Sequence, residues 1–132
     1  MSAEQNKMIV RRFYEEVLNG ANMQAADEVL APDYLDHGAP TPGLEGFKQL
    51  FAIIGGIYPD IQVAIEDMIA EDDKVAVRLS VRGTQKGSFR GFPATNKQAA
   101  WTGMDFIRLS NGKMVERWGE RDFLGYALPP ES

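Results

Sequence analysis

The apolar residues of this 132-residue chain keep one spacing up to Ile61 and a different one after it. Before that point they recur at helical intervals: Met8, Ile9, Phe13, Val17 and Leu18, then Met23, Ala26, Val29 and Leu30, then Phe47, Leu50, Phe51 and Ile54. From Ile61 they alternate. Ile61, Val63 and Ile65 interleave with Gln62, Ala64 and Glu66, and Val75, Val77, Leu79 and Val81 with Arg78, Ser80 and Arg82. A helical pattern does not bury itself as a strand, nor the reverse, so the switch divides the chain into a helical first part and a sheet-forming second part. The expectation is one α+β domain over residues 1–132, with three N-terminal helices on the concave face of a curved antiparallel sheet.

Local signals place the elements. Ser2 with Gln5 three residues on forms a capping box that opens a helix running to about Asn19, stopped by Gly20. Asn22 caps a shorter helix through Leu30. Pro32 forces the chain extended, so Tyr34 to His37 reads as a short strand or an arm. A third helix is expected from about Leu44 to Ile54, broken by Gly55 and Gly56. Residues 86–96, with Gly87, Gly91 and Pro93, connect strands at one rim.

Two strands close the sheet, Trp101 to Leu109 and Met114 to Arg121, around the hairpin signal Ser110-Asn111-Gly112. A two-residue turn pairs Asp105 with Trp118. A three-residue loop with Gly112 in a bulge pairs it with Arg117, which sets carboxylate against guanidinium and is the register expected here. Asp105 and Arg117 then face inward beneath Trp101, and Met104, Phe106, Met114 and Trp118 face outward. Such an apolar patch marks an interface, hence an expected homodimer through the outer sheet face.

Composition removes several classes. There is no cysteine, so no disulfide, thiolate nucleophile or Cys-ligated metal. His37 is the only histidine, which excludes a multi-histidine metal site within one chain and leaves an all-carboxylate site open; no metal and no cofactor are expected. A net charge of -5 with dispersed Lys and Arg argues against nucleic acid. No apolar run suits a membrane span or a leader, so a cytoplasmic protein is expected.

Four strings carry a family resemblance: IVRRFYEEVLNG from Ile9, APDYLDH from Ala31, FRGFPATNK from Phe89 and IRLSNGKMVERWGERDFLG from Ile107. In order and content the chain resembles the SnoaL-like polyketide cyclases of the nuclear-transport-factor-2-like superfamily. The resemblance implies a cone-shaped sheet enclosing a pocket, sheet-to-sheet dimers, and an aspartate on the last strand as general acid/base with histidines nearby. A typical member reads Glu-His-Trp-Asp where this chain reads Glu116-Arg117-Trp118-Gly119, so the usual acid falls on Gly119 and the nearby histidine on Arg117. Another pocket histidine falls on Asp105, and a later family aspartate is matched by Asp122.

The candidate catalytic residues are therefore Asp105, as general base, Arg117, to steady a developing oxyanion, and His37, whose unperturbed pKa lies near neutrality. An arginine close to Asp105 also lowers its pKa and weakens it as a base. Tyr14, Tyr34, Trp101, Gly119 and Asp122 are expected to line the substrate pocket. The reading is a cofactor-free enzyme performing aldol cyclisation, isomerisation or dehydration on an apolar polyketide-like or carbonyl-bearing ring compound. Alternatives are water activation on an epoxide by Asp105, Arg117 and Asp122, and a non-catalytic ligand-binding or dimerisation module.

Overall fold

The computed structural model describes residues 2–39, 41–89 and 91–122. Helix α1 (Ala3–Arg12) opens on the expected box: the Gln5 N–H donates to Ser2 Oγ at 3.1 Å and the Ser2 N–H to Gln5 Oε1 at 2.9 Å. It continues into wider π-helical turns over Phe13–Asn19. Val10, Phe13, Tyr14 and Val17 are fully buried along one side of this rod. Its end is pinned to the sheet, because the Asn19 amide takes both backbone groups of Val63, at 2.8 and 2.7 Å. Asn22 caps α2 (Met23–Val29) through the Ala25 N–H at 3.0 Å.

Helix α3 (Gly43–Ile57) runs through Gly55 and Gly56 instead of stopping at Ile54. A glycine costs a helix roughly 1 kcal/mol. Here Phe47 is buried and Phe51 packs on the core, and neither glycine meets a neighbour that would object to the helix. Packing overrides propensity.

Four strands form an antiparallel meander: β2 (Gln62–Glu71), β3 (Lys74–Thr84), β4 (Gln98–Ser110) and β5 (Lys113–Asp122). The fifth, β1 (Leu30–Asp36), lies beside β5 and parallel to it, giving the order β1-β5-β4-β3-β2. The sheet is therefore mixed and open, and of the two readings of the segment around Tyr34, short strand or arm, the strand holds, as a full edge strand from Leu30. Pro32 is tolerated there because an edge strand can lack a ladder donor. The parallel pair is not a βαβ unit, since every other strand lies between its members in the chain. With the helices on one face, this is the α+β cone architecture. Among the described residues no helix is long and apolar enough to cross a membrane.

The β4–β5 hairpin departs from both expected registers. Ser110 pairs with Lys113 across a two-residue turn in which Asn111 and Gly112 have φ of 52° and 77°. Leu109 then pairs with Met114, but Arg108 pairs with Glu116, leaving Val115 as the extra residue of a bulge. Beyond it Ile107 faces Arg117, Phe106 faces Trp118 and Asp105 faces Gly119. The position of the turn was legible, but it is the two-residue turn and not the expected three-residue loop, and the bulge is at Val115 and not at Gly112. An unbulged ladder from this turn would have brought Trp118 to the inner face and sent Arg117 out. Met114 lies before the bulge and is fully buried, so it leaves the outward set, which is Met104, Phe106 and Trp118.

Candidate active site

Asp105 lies mid-strand on β4, flanked by Val77 of β3 and Gly119 of β5, and its side chain has no exposed surface. Its Oδ2 accepts a short hydrogen bond from the Tyr14 hydroxyl, delivered by the π-helical turns, and others from Arg117 Nη1 at 3.2 Å and Arg121 Nη2 at 3.3 Å. Its Oδ1 accepts from Arg121 Nη1 at 2.5 Å. Across Arg117, Nη2 lies 3.1 Å from Asp36 Oδ2, which also accepts from the Tyr34 hydroxyl at 3.2 Å. The other Asp36 oxygen accepts from the Gly38 N–H at 2.8 Å, and the Arg117 guanidinium sits over the Phe13 ring, 5.7 Å from its centre. Two carboxylates and two guanidiniums thus alternate, Asp36–Arg117–Asp105–Arg121, with a tyrosine on each acid.

The electrostatics follow from this alternation. Burial acts to raise the Asp105 pKa, but Arg117, Arg121 and the Tyr14 hydroxyl together outweigh it and hold the carboxyl below the usual aspartate value. Burial, then the charge of Asp105, pushes the Tyr14 phenol well up, so it keeps its proton and donates it. Tyr34 is raised by its burial too, against the pull of Arg117. Burial alone would lower Arg117, yet Asp105, Tyr34 and Asp36 keep it above its ordinary value. Arg117 Nε is buried and has no hydrogen-bond partner among the described residues.

The sequence-predicted residues divide sharply. Asp105, Arg117, Tyr14 and Tyr34 come together, although Asp105 and Arg117 meet diagonally and not as directly paired residues. Trp101 shares the inner face of β4 with Asp105 and packs on Tyr58, ring centres 5.0 Å apart. Gly119 does not widen a pocket as expected: a Cβ there would lie 2.8 Å from Asp105 Oδ1 and 3.3 Å from Arg121 Nη1, so the space is taken. His37 is turned to the outer face, where it meets Glu116 Oε2 at 2.8 Å and stacks on Trp118 at 5.0 Å. Neighbours on a strand face opposite ways, so Asp36 entering the site sends His37 away from it. Asp122 pairs with Thr102 and is exposed on that same outer side, which removes it from any triad with Asp105.

Two members of the cluster were missed. Arg121 carried a signal, since Arg117, Gly119 and Arg121 share a face at period two. Asp36 carried none, because its place opposite Arg117 depends on the long-range parallel pairing of β1 with β5. Two clefts, of about 270 Å³ beside Asn6 and Gly112 and about 380 Å³ between Met8 and Met68, are lined by no residue of the cluster. Among the described residues no group of three or more His, Asp or Glu side chains is arranged to hold a metal ion.

A five-stranded curved sheet closed on one side by three helices, with a buried polar cluster on its inner face, defines a nuclear-transport-factor-2-like cone domain. The model of the SnoaL-like polyketide cyclases matches residues 8–128, and the chain belongs to that family. Among solved structures it is similar to TsrD of Streptomyces laurentii, at 22% identity and TM-score 0.86 over 97% of this chain and 96% of that one. A candidate polyketide cyclase of Acidithiobacillus ferrooxidans is 28% identical, with TM-score 0.83 and 99% of both chains covered. IdmH of Streptomyces antibioticus, likewise a candidate polyketide cyclase, is 27% identical with TM-score 0.80, covering 91% of this chain and 94% of that one. A sequence search of curated proteins gave no significant match.

Proposed function

We propose that the protein is a cofactor-independent acid–base enzyme that performs an aldol cyclisation, isomerisation or dehydration on a small, largely apolar, carbonyl-bearing or polyketide-like ring compound. The family and its structural neighbours support a cyclase-type enzyme in general terms. The observation that carries the finer reading is the buried Asp105 carboxylate held between Tyr14, Arg117 and Arg121. In this reading Asp105 takes a proton from carbon next to the substrate carbonyl; the C–H pair moves into the enolate, and guanidinium donors stabilise its oxygen. The acid that related enzymes carry on the last strand is replaced by one on the strand before it.

Thermal-shift screening of ring ketones and hydroxylated aromatics identifies a ligand, and turnover of that ligand is then compared in wild type and Asp105→Asn. Loss of a general base lowers turnover by roughly 10²–10⁴-fold. Activity within a few-fold of wild type would sink the assignment. A second reading is favoured by one distance pair: Arg117 bridges Asp36 at 3.1 Å and Asp105 at 3.2 Å, an Asp-Arg-Asp arrangement suited to activating water on an epoxide. Asp36 fills the place that Asp122 was expected to take. Incorporation of labelled oxygen from water into product separates the two.

We also infer a homodimer through the outer sheet face, on the exposed Met104, Phe106 and Trp118.

A further inference from the structure

The two arginines on Asp105 are built differently. Arg117 is held from two sides by Asp36 and Asp105, lies over Phe13, and has a side chain only 11% exposed. Arg121 is 20% exposed, and among the described residues its guanidinium reaches, beyond Asp105, only the Glu120 carbonyl beside it. Its pose depends on two glycines. A Cβ at Gly103, directly across the ladder, would sit 2.6 Å from Arg121 Cδ and 2.9 Å from Nη1, and one at Gly119 would press on both Asp105 and Arg121. Glycine weakens a strand interior, and here it marks a place where another group must lie close to the backbone. Of the two arginines Arg121 has the more exposed side chain, so it is the cation of the cluster that an incoming molecule reaches first.

Resting on the reading of Asp105 as base, we propose that Arg121 determines specificity by recognising an anionic oxygen on the ring substrate, a carboxylate or the oxygen of an enolate or phenolate, in exchange for Asp105. Engagement of the ligand and release of the base are then one event. The charges make this exchange consistent. Asp36, Asp105, Arg117 and Arg121 sum to zero, and Asp105 is faced by Tyr14 from the helical rod, by Arg117 and Arg121 from β5, and by Asp36 and Tyr34 of β1 across Arg117. When Arg121 turns to the ligand, Asp105 loses one of the two cations that keep it a weak base. The objection that an arginine-clamped aspartate cannot abstract a proton is thereby met at the moment of binding.

The test is calorimetric titration of the full chain with naphthoate and with its neutral counterpart naphthamide. Wild type should prefer naphthoate by about tenfold or more, the ratio expected of one charge-assisted contact. Arg121→Gln should remove that preference and leave naphthamide binding unchanged. Asp105→Asn should tighten naphthoate further, because the carboxylate competing for Arg121 is gone, an effect no structural role for Arg121 produces. Arg121→Lys, which keeps the charge without the paired donors, should weaken the preference and serves if the glutamine variant does not fold. No detectable naphthoate binding by wild type, no preference between the probes, or a preference that survives Arg121→Gln overturns the proposal. Turnover plays no part in these titrations. Asp105→Asn that keeps its activity sinks the base and leaves the anion site, whereas wild type without anion preference sinks the clamp and leaves the base.

Discussion

The two faces of the β4–β5 hairpin carry nearly the same kit of side chains and put it to different use. On the inner face an arginine joins two aspartates, both almost wholly buried, with an aromatic ring beneath it. On the outer face Glu116 joins Arg108, at 3.1 and 3.2 Å, to His37, which is stacked on Trp118. His37 and Arg108 are each 40% exposed. In water an ion pair contributes about 0–1 kcal/mol, whereas a buried one costs several times that when one partner is removed. Burial, more than residue type, thus separates a candidate site from a surface network, and the lone histidine, chemically the most suggestive residue of the chain, falls on the wet side.

The widest gap between the faces should appear in unfolding by urea. Arg117→Leu takes from buried Asp36 the cation that faces it and from Asp105 one of two, and is expected to cost about 3–5 kcal/mol, while His37→Ala costs no more than about 1 kcal/mol. Equal losses would erase the distinction drawn above. Tyr14→Phe takes one donor from a buried carboxylate and should cost roughly 1.5–3 kcal/mol by the same method, with Asp105 titrating higher than in wild type. A loss below a few tenths would mean that the arginines alone satisfy Asp105. On the outer side, Trp118→Ser should weaken self-association by about 2 kcal/mol if the apolar patch is an interface, measured by sedimentation. A wild-type monomer at micromolar concentration would overturn the dimer.

The smallest effect is one of acidity. The Asp105 pKa is lower folded than unfolded, so the stability it brings is complete above the unfolded value of about 3.9 and fades as pH falls from there through the folded value. The stability difference between wild type and Asp105→Asn should therefore be flat above about pH 5 and shrink below about pH 4. A difference that persists unchanged into acid would show that the Asp105 pKa is the same folded and unfolded, and one that grows in acid would show that Asp105 is not ionised in the fold.

Much of this was legible in the sequence for a local reason. Caps at Ser2 and Asn22, the turn at Asn111-Gly112 and the change of period at Ile61 are each decided within a few residues, and the structure keeps them all. What escaped depends on distant partners. Gly55 and Gly56 stay helical because α3 is packed, not because they favour a helix. The bulge at Val115 has no turn residue to announce it, and it decides whether Trp118 or Arg117 looks inward. Asp36 joins the site through a parallel pairing that no nearby residue signals, and Arg121 was hidden by weighing Gly119 for the space it leaves and not for the neighbour it admits.

The sheet order has a kinetic meaning as well. Among the described residues β1 pairs with no strand but β5, so Tyr34 and Asp36 meet Arg117 across a sequence gap that holds most of the meander. Pairings this distant in sequence are slow to close, since loop entropy is spent before any contact rewards it. The Asp36 side of the polar cluster is thus expected to form late, after Asp105, Arg117 and Arg121 have been brought together by the β4–β5 hairpin. Refolding followed by a signal from Tyr34 should lag behind refolding followed by overall backbone signal, because β1 waits for the last strand in the sequence to pair with it.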